Sequence, residues 1–272
     1  SFAGATGNNF ENGDAKFNEN ISPTNIQGIG ANDYTSSIKL LSNKDDYQFN
    51  VISAPGLIGS LHAQTSQLVS LAQGRTDCIS VIDLVPYDSG INTVTNQAAG
   101  YDTSYSATYW PWLQTVDSAT GQTVWAPAST YIPAVYAFTD SSSDPWFAPA
   151  GLIRGALGSV IRAERKLTSG NRDTLYEANV NPVASFPGEG VVVWGQKTLQ
   201  KKASALDRVN VRRLLINLKK FIASVSKYLI FENNTTATRN RFLSQVNPYM
   251  ESVQQRQGLY AFKVIMDETN NT

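Results

Sequence analysis

Apolar positions along this chain change period repeatedly, from the solid or alternating runs of strands to the three-to-four-residue recurrence of helices. The run from Tyr47 to Ala54 reads as a strand closed by Pro55-Gly56. A helix follows from Ser60 to Gln73, with Leu61, Leu68, Val69 and Leu71 as its apolar positions. Asp77 to Val85 is the next buried strand, ended by Pro86, then come a helix over 92–100 and an aromatic strand over 104–116. Helices are predicted over 127–138 and 150–157, each opened near a proline, then a strand over 159–167 and a short helix over 173–178. Two short strands, 183–186 and 191–194, flank Pro187-Gly188-Glu189-Gly190. The longest helices come last, 207–231 and 237–255, the first carrying Leu214, Leu218, Phe221, Ile222, Val225 and Leu229 on one face. Gly258 ends the second, and 260–267 alternates as a final strand.

This order predicts an α/β plus α+β fold. A mixed-sheet α/β domain spans 28–169, cut near Ser169-Gly170 from a C-terminal α+β domain over 170–272, whose two long helices pack on a small sheet. Residues 1–27, rich in Asn, Gly and Glu without periodicity, read as a flexible arm or linker. Val191, Val192 and Val193 are apolar on both faces, as a doubly covered strand requires, which makes Trp194 a core residue against the 207–231 helix. Gly188 and Gly190 permit the tight connection before it.

At 272 residues the chain is long enough for one large or two medium domains. No run approaches the ~18 uninterrupted apolar residues of a membrane helix, so no membrane insertion is expected. The absence of an initiator Met and the end inside Asp-Glu-Thr-Asn-Asn-Thr suggest a piece truncated at both ends. Candidate chemistry is sparse. One histidine, His62, and one cysteine, Cys78, cannot supply a zinc site, and Cys78 in an apolar strand reads as a buried, inert thiol. A triad through His62 with Asp77 or Asp83 lacks a G-x-S-x-G elbow. Gly28-Ile29-Gly30 has Asp33 where a dinucleotide fingerprint needs its third glycine, and no phosphate loop occurs. No catalytic, cofactor-binding or metal-binding residue is assigned, and no cofactor is expected.

Net charge is zero, but its distribution is uneven. Residues 76–153 hold seven Asp and no Lys or Arg, a segment charge of −7. Residues 197–227 hold nine basic residues against Asp207, or +8. Arg208, Arg212 and Lys219 recur at roughly helical spacing, and with Arg213 and Lys220 they form the candidate interface. A solvated helix face, docking to an acidic protein surface and nucleic acid are the three readings. The absence of interleaved aromatics for base stacking and an overall pI near 6.6 weigh against the last, so no direct nucleic-acid contact is expected.

The stretch Asn181-Pro182-Val183-Ala184-Ser185-Phe186-Pro187-Gly188-Glu189-Gly190, continuing through Val193-Trp194-Gly195 to Thr198-Leu199, resembles a signature block of contractile tail sheath proteins of long-tailed bacteriophages. Asp207 to Leu214, Lys227 to Asn234 with Thr238-Arg239 and Phe242, and Gly258 to Thr272 resemble further blocks of that family. The likeness covers roughly 28–272, departing at Gln196-Lys197 and Ala261. It implies a structural subunit, not an enzyme, that polymerises around an inner tail tube and contracts to drive the tube through the host envelope. The implied partners are neighbouring sheath subunits, the inner tail tube protein, and baseplate and tail terminator proteins. The implied location is the virion tail sheath, assembled in the host bacterial cytoplasm. Apart from the resemblance, an α/β hydrolase-like viral enzyme and a basic nucleic-acid-binding structural protein stay open.

Overall fold

The protein's structure, a computed structural model, describes residues 21–26 and 28–270. The chain divides into two compact units between Arg213 and Leu214. Most of the expected arm lies outside the described residues, but 21–26 belong to a small antiparallel sheet of β1 (Ile21–Ser22), β2 (Asn25–Ile26) and β3 (Ile29–Gly30). Ile26 is buried there with Ala31 and Leu57, so its apolar side chain roots this stretch in the fold.

The first unit is built on a five-stranded sheet. Its strands are β4 (Val51–Ile58), β5 (Ile79–Asp83), β6 (Ser106–Trp110), β10 (Asn181–Phe186) and β11 (Gly190–Val193), in spatial order β11-β10-β6-β5-β4. All neighbours run parallel except the hairpin pair β10–β11. Pro55 sits in β4, an edge strand, where a missing N–H costs no ladder bond. Every residue of β5 and β6 is buried, the mark of strands covered on both faces. Ile82 and Trp110 pack into one apolar cluster with side chains of α1 (Asp33–Leu40), α2 (Gln64–Arg75), α3 (Ile91–Ala98) and α6 (Ser169–Glu177). Asp83 and Tyr109, of opposite parity, reach Ser129 in the 3-10 turn Ala128–Thr130 and Tyr136 in α4 (Ile132–Ser142). Between β6 and β10 the chain also builds a three-stranded antiparallel sheet, β8-β7-β9, from β7 (Leu113–Val116), β8 (Thr123–Ala126) and β9 (Val160–Ala163), with the short helix α5 (Gly151–Arg154) before β9.

Several expectations shift. The sheet runs across the expected cut at Ser169-Gly170, because β10 pairs with β6 and the strands after the cut complete the α/β sheet. The aromatic run 104–116 is two strands, parted at Pro111-Trp112, since proline cannot donate to a ladder. The long helices are α7 (Val209–Ser226) and α8 (Thr236–Gln255), the latter capped by Thr235, whose hydroxyl accepts the Thr238 N–H at 3.2 Å. Within the second unit, Phe221 of α7 stacks on Tyr249 of α8 with ring centroids 3.7 Å apart. Residues 260–267 form no regular element and alternate between exposed and half-buried from 261 on, yet pair with no strand among the described residues. Alternation alone supplies no ladder partner.

Candidate functional site

The predicted basic interface is not one surface. Arg212 and Arg213 are buried, 4% and 6% exposed, and a buried charge demands local partners. The Arg212 guanidinium lies over the Tyr105 ring at 4.0 Å and donates to the Ser104 hydroxyl. Burial holds its pKa below the usual value, with Tyr105 opposing. Arg213 pairs with Asp140 at 2.5 Å and lies over Tyr136, whose hydroxyl shares a 2.8 Å hydrogen bond with that of Tyr109. Burial pushes the Tyr136 phenol up to about 12, so it stays protonated. These two arginines therefore anchor the first turns of α7 inside the first unit and are withdrawn from the exposed face on which spacing placed them. Arg208 remains partly open, its side chain 38% exposed beside Asp207 at 3.1 Å, while Lys219 is exposed and Lys220 half-buried.

A different cluster, missed in the sequence, gathers cations and aromatics on one face of the first unit. Thr168 caps α6 in a reciprocal box with Asn171, so Arg172 and Tyr176, four apart, share a helix face. The Arg172 guanidinium lies 5.4 Å from the Phe186 ring, and Phe186 meets Trp194 at 4.6 Å. Lys197 sits 4.0 Å over the Tyr176 ring and donates to the Tyr176 carbonyl at 3.0 Å; Arg208 flanks the same ring at 5.4 Å.

Trp194 is thus not the core residue expected. It is 42% exposed, just past the end of β11, and packs on Phe186 across the hairpin rather than beneath a helix. The three valines before it are buried, as a doubly covered strand requires. Trp194→Ala is expected to cost about 1–2 kcal/mol in urea unfolding, well under the ~3–5 kcal/mol of a fully buried aromatic. A loss in that upper range would return Trp194 to the core.

The rest of the signature block is architectural. Asn181, 1% exposed, donates to the carbonyls of Thr108 and Lys197 at 3.0 and 2.8 Å and accepts the Lys197 N–H at 2.5 Å, tying β6, β10 and the segment after β11 together. A side chain at Gly195 would meet the Asn181 Oδ1 at 2.9 Å, so only glycine fits beside this knot. Gly188 and Gly190 take φ of 82° and 76°, as the tight connection requires.

His62 is absorbed by the fold. Its Nδ1 accepts the Ile58 N–H at 2.9 Å, which leaves the hydrogen on Nε2 to donate to the Ser22 carbonyl at 2.8 Å. No ring nitrogen is left to act as a general base. Asp83, fully buried, accepts the Ser129 hydroxyl at 2.5 Å and the Ser129 N–H at 3.2 Å, and Cys78 is buried. Among the described residues no group of three His, Cys, Asp or Glu could hold a metal ion, and no helix is long and apolar enough to cross a membrane.

Comparison with known proteins places these features in a family. The family model described as phage tail sheath protein central domain matches residues 27–199, and that of the phage tail sheath C-terminal domain matches 201–272. The tail sheath protein of Vibrio phage KVP40 is 32% identical, with 89% of this chain and 40% of that protein covered. The chain therefore spans about two fifths of that relative's length. Among solved structures, the PVC sheath complex of an extracellular contractile injection system in its contracted state aligns with a TM-score of 0.70 at 24% identity, over 84% of this chain and 62% of that one. A chain of the anti-feeding prophage baseplate aligns with a TM-score of 0.70 at 21% identity, over 88% of this chain and 63% of that one. These two share its fold. With both family models matched almost end to end, the chain belongs to the phage tail sheath family.

Proposed function

We propose that this chain is part of a contractile tail sheath subunit, which polymerises around an inner tail tube and contracts to drive it through the host envelope. The observation that carries the reading is the near-complete tiling of residues 27–272 by the two sheath domain families. Helical polymerisation needs a heterologous contact that does not close on itself, and the driving free energy is the difference between two packings of the same subunits. The chain's exposed Tyr228, Ile230, Phe231 and Tyr260 are large apolar side chains in water, a feature of association surfaces. The likeness to a baseplate chain supports a baseplate partner, and family membership supports the tail tube and tail terminator as further partners, with assembly in the host cytoplasm and residence in the virion tail.

The subunit works mechanically, without a cofactor. The hydrolase-like alternative loses its base, since both nitrogens of His62 serve the backbone. The nucleic-acid alternative rested on a basic helix whose Arg212 and Arg213 are buried. Of the predicted interface, Arg208, Lys219 and Lys220 are the residues we assign to a neighbouring subunit or the tube.

Electron microscopy of the protein expressed with its native flanking sequence is expected to show polymeric tubes; dispersed particles alone would overturn the reading. In that setting, reversing Lys219 and Lys220 to Glu is expected to slow assembly, more at low salt than at high. Assembly unchanged at low salt would remove these lysines from the contact.

A further inference from the structure

We propose that the cation–aromatic stripe of Arg172, Tyr176, Phe186, Trp194, Lys197 and Arg208 is a docking surface for the β7–β8 hairpin of a second copy of this chain, with Asp117 as the carboxylate received. The inference rests on the sheath reading and deepens it by naming one subunit–subunit contact.

The stripe is a prearranged carboxylate receptor. Arg172 and Lys197 each spend one hydrogen bond on a backbone carbonyl, to Leu167 at 3.1 Å and Tyr176 at 3.0 Å, and neither forms an ion pair among the described residues. Arg208 has Asp207 at 3.1 Å. The rings beneath the cations restrict their motion, so little side-chain entropy remains to be lost on binding. Exposed Trp194 and Tyr176 add the residue types that dominate interface energetics.

The complementary charge is in the same chain. Across 76–153 the formal charge is −7, but most of those carboxylates are already engaged: Asp77 with Arg75, Asp88 with Arg165, Asp140 with Arg213, and Asp83 buried on Ser129. Asp117 differs. It stands at the tip of the β7–β8 hairpin, accepts from the Thr120 hydroxyl at 2.7 Å and the Ala119 N–H at 3.0 Å within its own turn, and has no ion pair among the described residues. These hydrogen bonds hold its carboxyl below the usual range, so it remains ionised. Val116 beside it is 51% exposed and offers an apolar contact for Trp194. Stripe and hairpin tip are different patches, so their union is heterologous and propagates from copy to copy.

Sedimentation velocity of this chain at rising concentration, at low and high salt, tests the contact. The natural chain is expected to associate at low salt, and the Arg172→Glu/Lys197→Glu chain about tenfold or more weakly. Asp117→Lys, on an exposed hairpin tip, is expected to weaken association alike, and mixing it with the doubly reversed chain should restore part of it. Circular dichroism melting checks that each variant is folded. A natural chain monomeric at every concentration, or reversals without effect, overturns the proposal. So does loss with the stripe variant but not with Asp117→Lys, or a stripe that binds single-stranded DNA and not a second copy. Tubes formed by native-context protein carrying the reversals would sink this contact and leave the sheath reading intact; no tubes from the natural protein would sink the reading itself.

Discussion

Replacing Arg75 with methionine is expected to cost about 3–5 kcal/mol of stability, the range for breaking a buried, hydrogen-bonded ion pair from one side. The guanidinium, 2% exposed, forks onto Asp77 at 2.9 and 3.0 Å and donates to the carbonyls of Leu41, Asn43 and Tyr47 at 2.6, 3.3 and 2.7 Å. It also lies 4.3 Å over the Phe49 ring. One side chain at the end of α2 thus ties down the whole connection between α1 and β4, a stretch with little apolar content of its own. Methionine fills similar volume but strands three carbonyls and a carboxylate. Arg75→Lys, with a charge but no fork, is expected to recover only part of the loss. Urea unfolding measures both, and a loss below ~1 kcal/mol for methionine would show that water replaces the guanidinium at these carbonyls.

The second large effect is on pH dependence, through Asp83. Burial pushes its carboxyl up to about 7, the two donors of Ser129 pulling the other way. No ion pair to it occurs among the described residues. Because the folded value lies above the unfolded one, the stability tied to this group is fully present below about pH 4 and is lost as pH rises through about 7. The loss amounts to at most about 4 kcal/mol, from some three pH units at 1.36 kcal/mol each. Asp83→Asn cannot ionise, so the difference in unfolding free energy between variant and natural protein should move in the variant's favour across that window. A difference independent of pH would mean that Asp83 is ionised in the fold at no cost, with water reaching it.

Much of the architecture was legible in the pattern of side chains. Each strand of the large sheet was anticipated near its place, because buried strands are written as solid apolar runs. The first was expected to close at Pro55-Gly56, but β4 instead runs through them to Ile58, an edge strand tolerating the proline. The long helices were legible too, though α7 ends at Ser226, short of the expected Phe231, and the apolar Tyr228, Ile230 and Phe231 stand in solvent. What escaped were short elements: β1 to β3 of two residues each, α1, and β8. Such elements carry too few positions for a period and form because the surrounding fold covers them.

The candidate site was legible as charge and illegible as surface. Helical spacing grouped Arg208, Arg212 and Lys219, yet spacing says only that residues share a face, not whether that face meets water. Arg212 and Arg213 went inside because Ser104, Tyr105, Tyr136 and Asp140, about 70 to 110 positions earlier, supply the hydrogen bonds and rings that make a buried cation tolerable. Arg172, Tyr176, Phe186, Trp194, Lys197 and Arg208 are scattered over two elements and the connections after β11, and only the β10–β11 hairpin beside α6 brings them into one stripe.

By itself, then, the sequence determined the strand and helix runs, the glycine turn at 188–190, the absence of a metal-binding histidine set and, through its signature blocks, the family. The tertiary structure alone decided that the β10–β11 hairpin completes the α/β sheet, that Trp194 faces outward and that His62 holds β1. It also decided which cations are buried. The reason is physical: local pattern reports what a residue prefers, whereas burial, partner and charge state depend on groups far along the chain that only packing brings within a few ångströms.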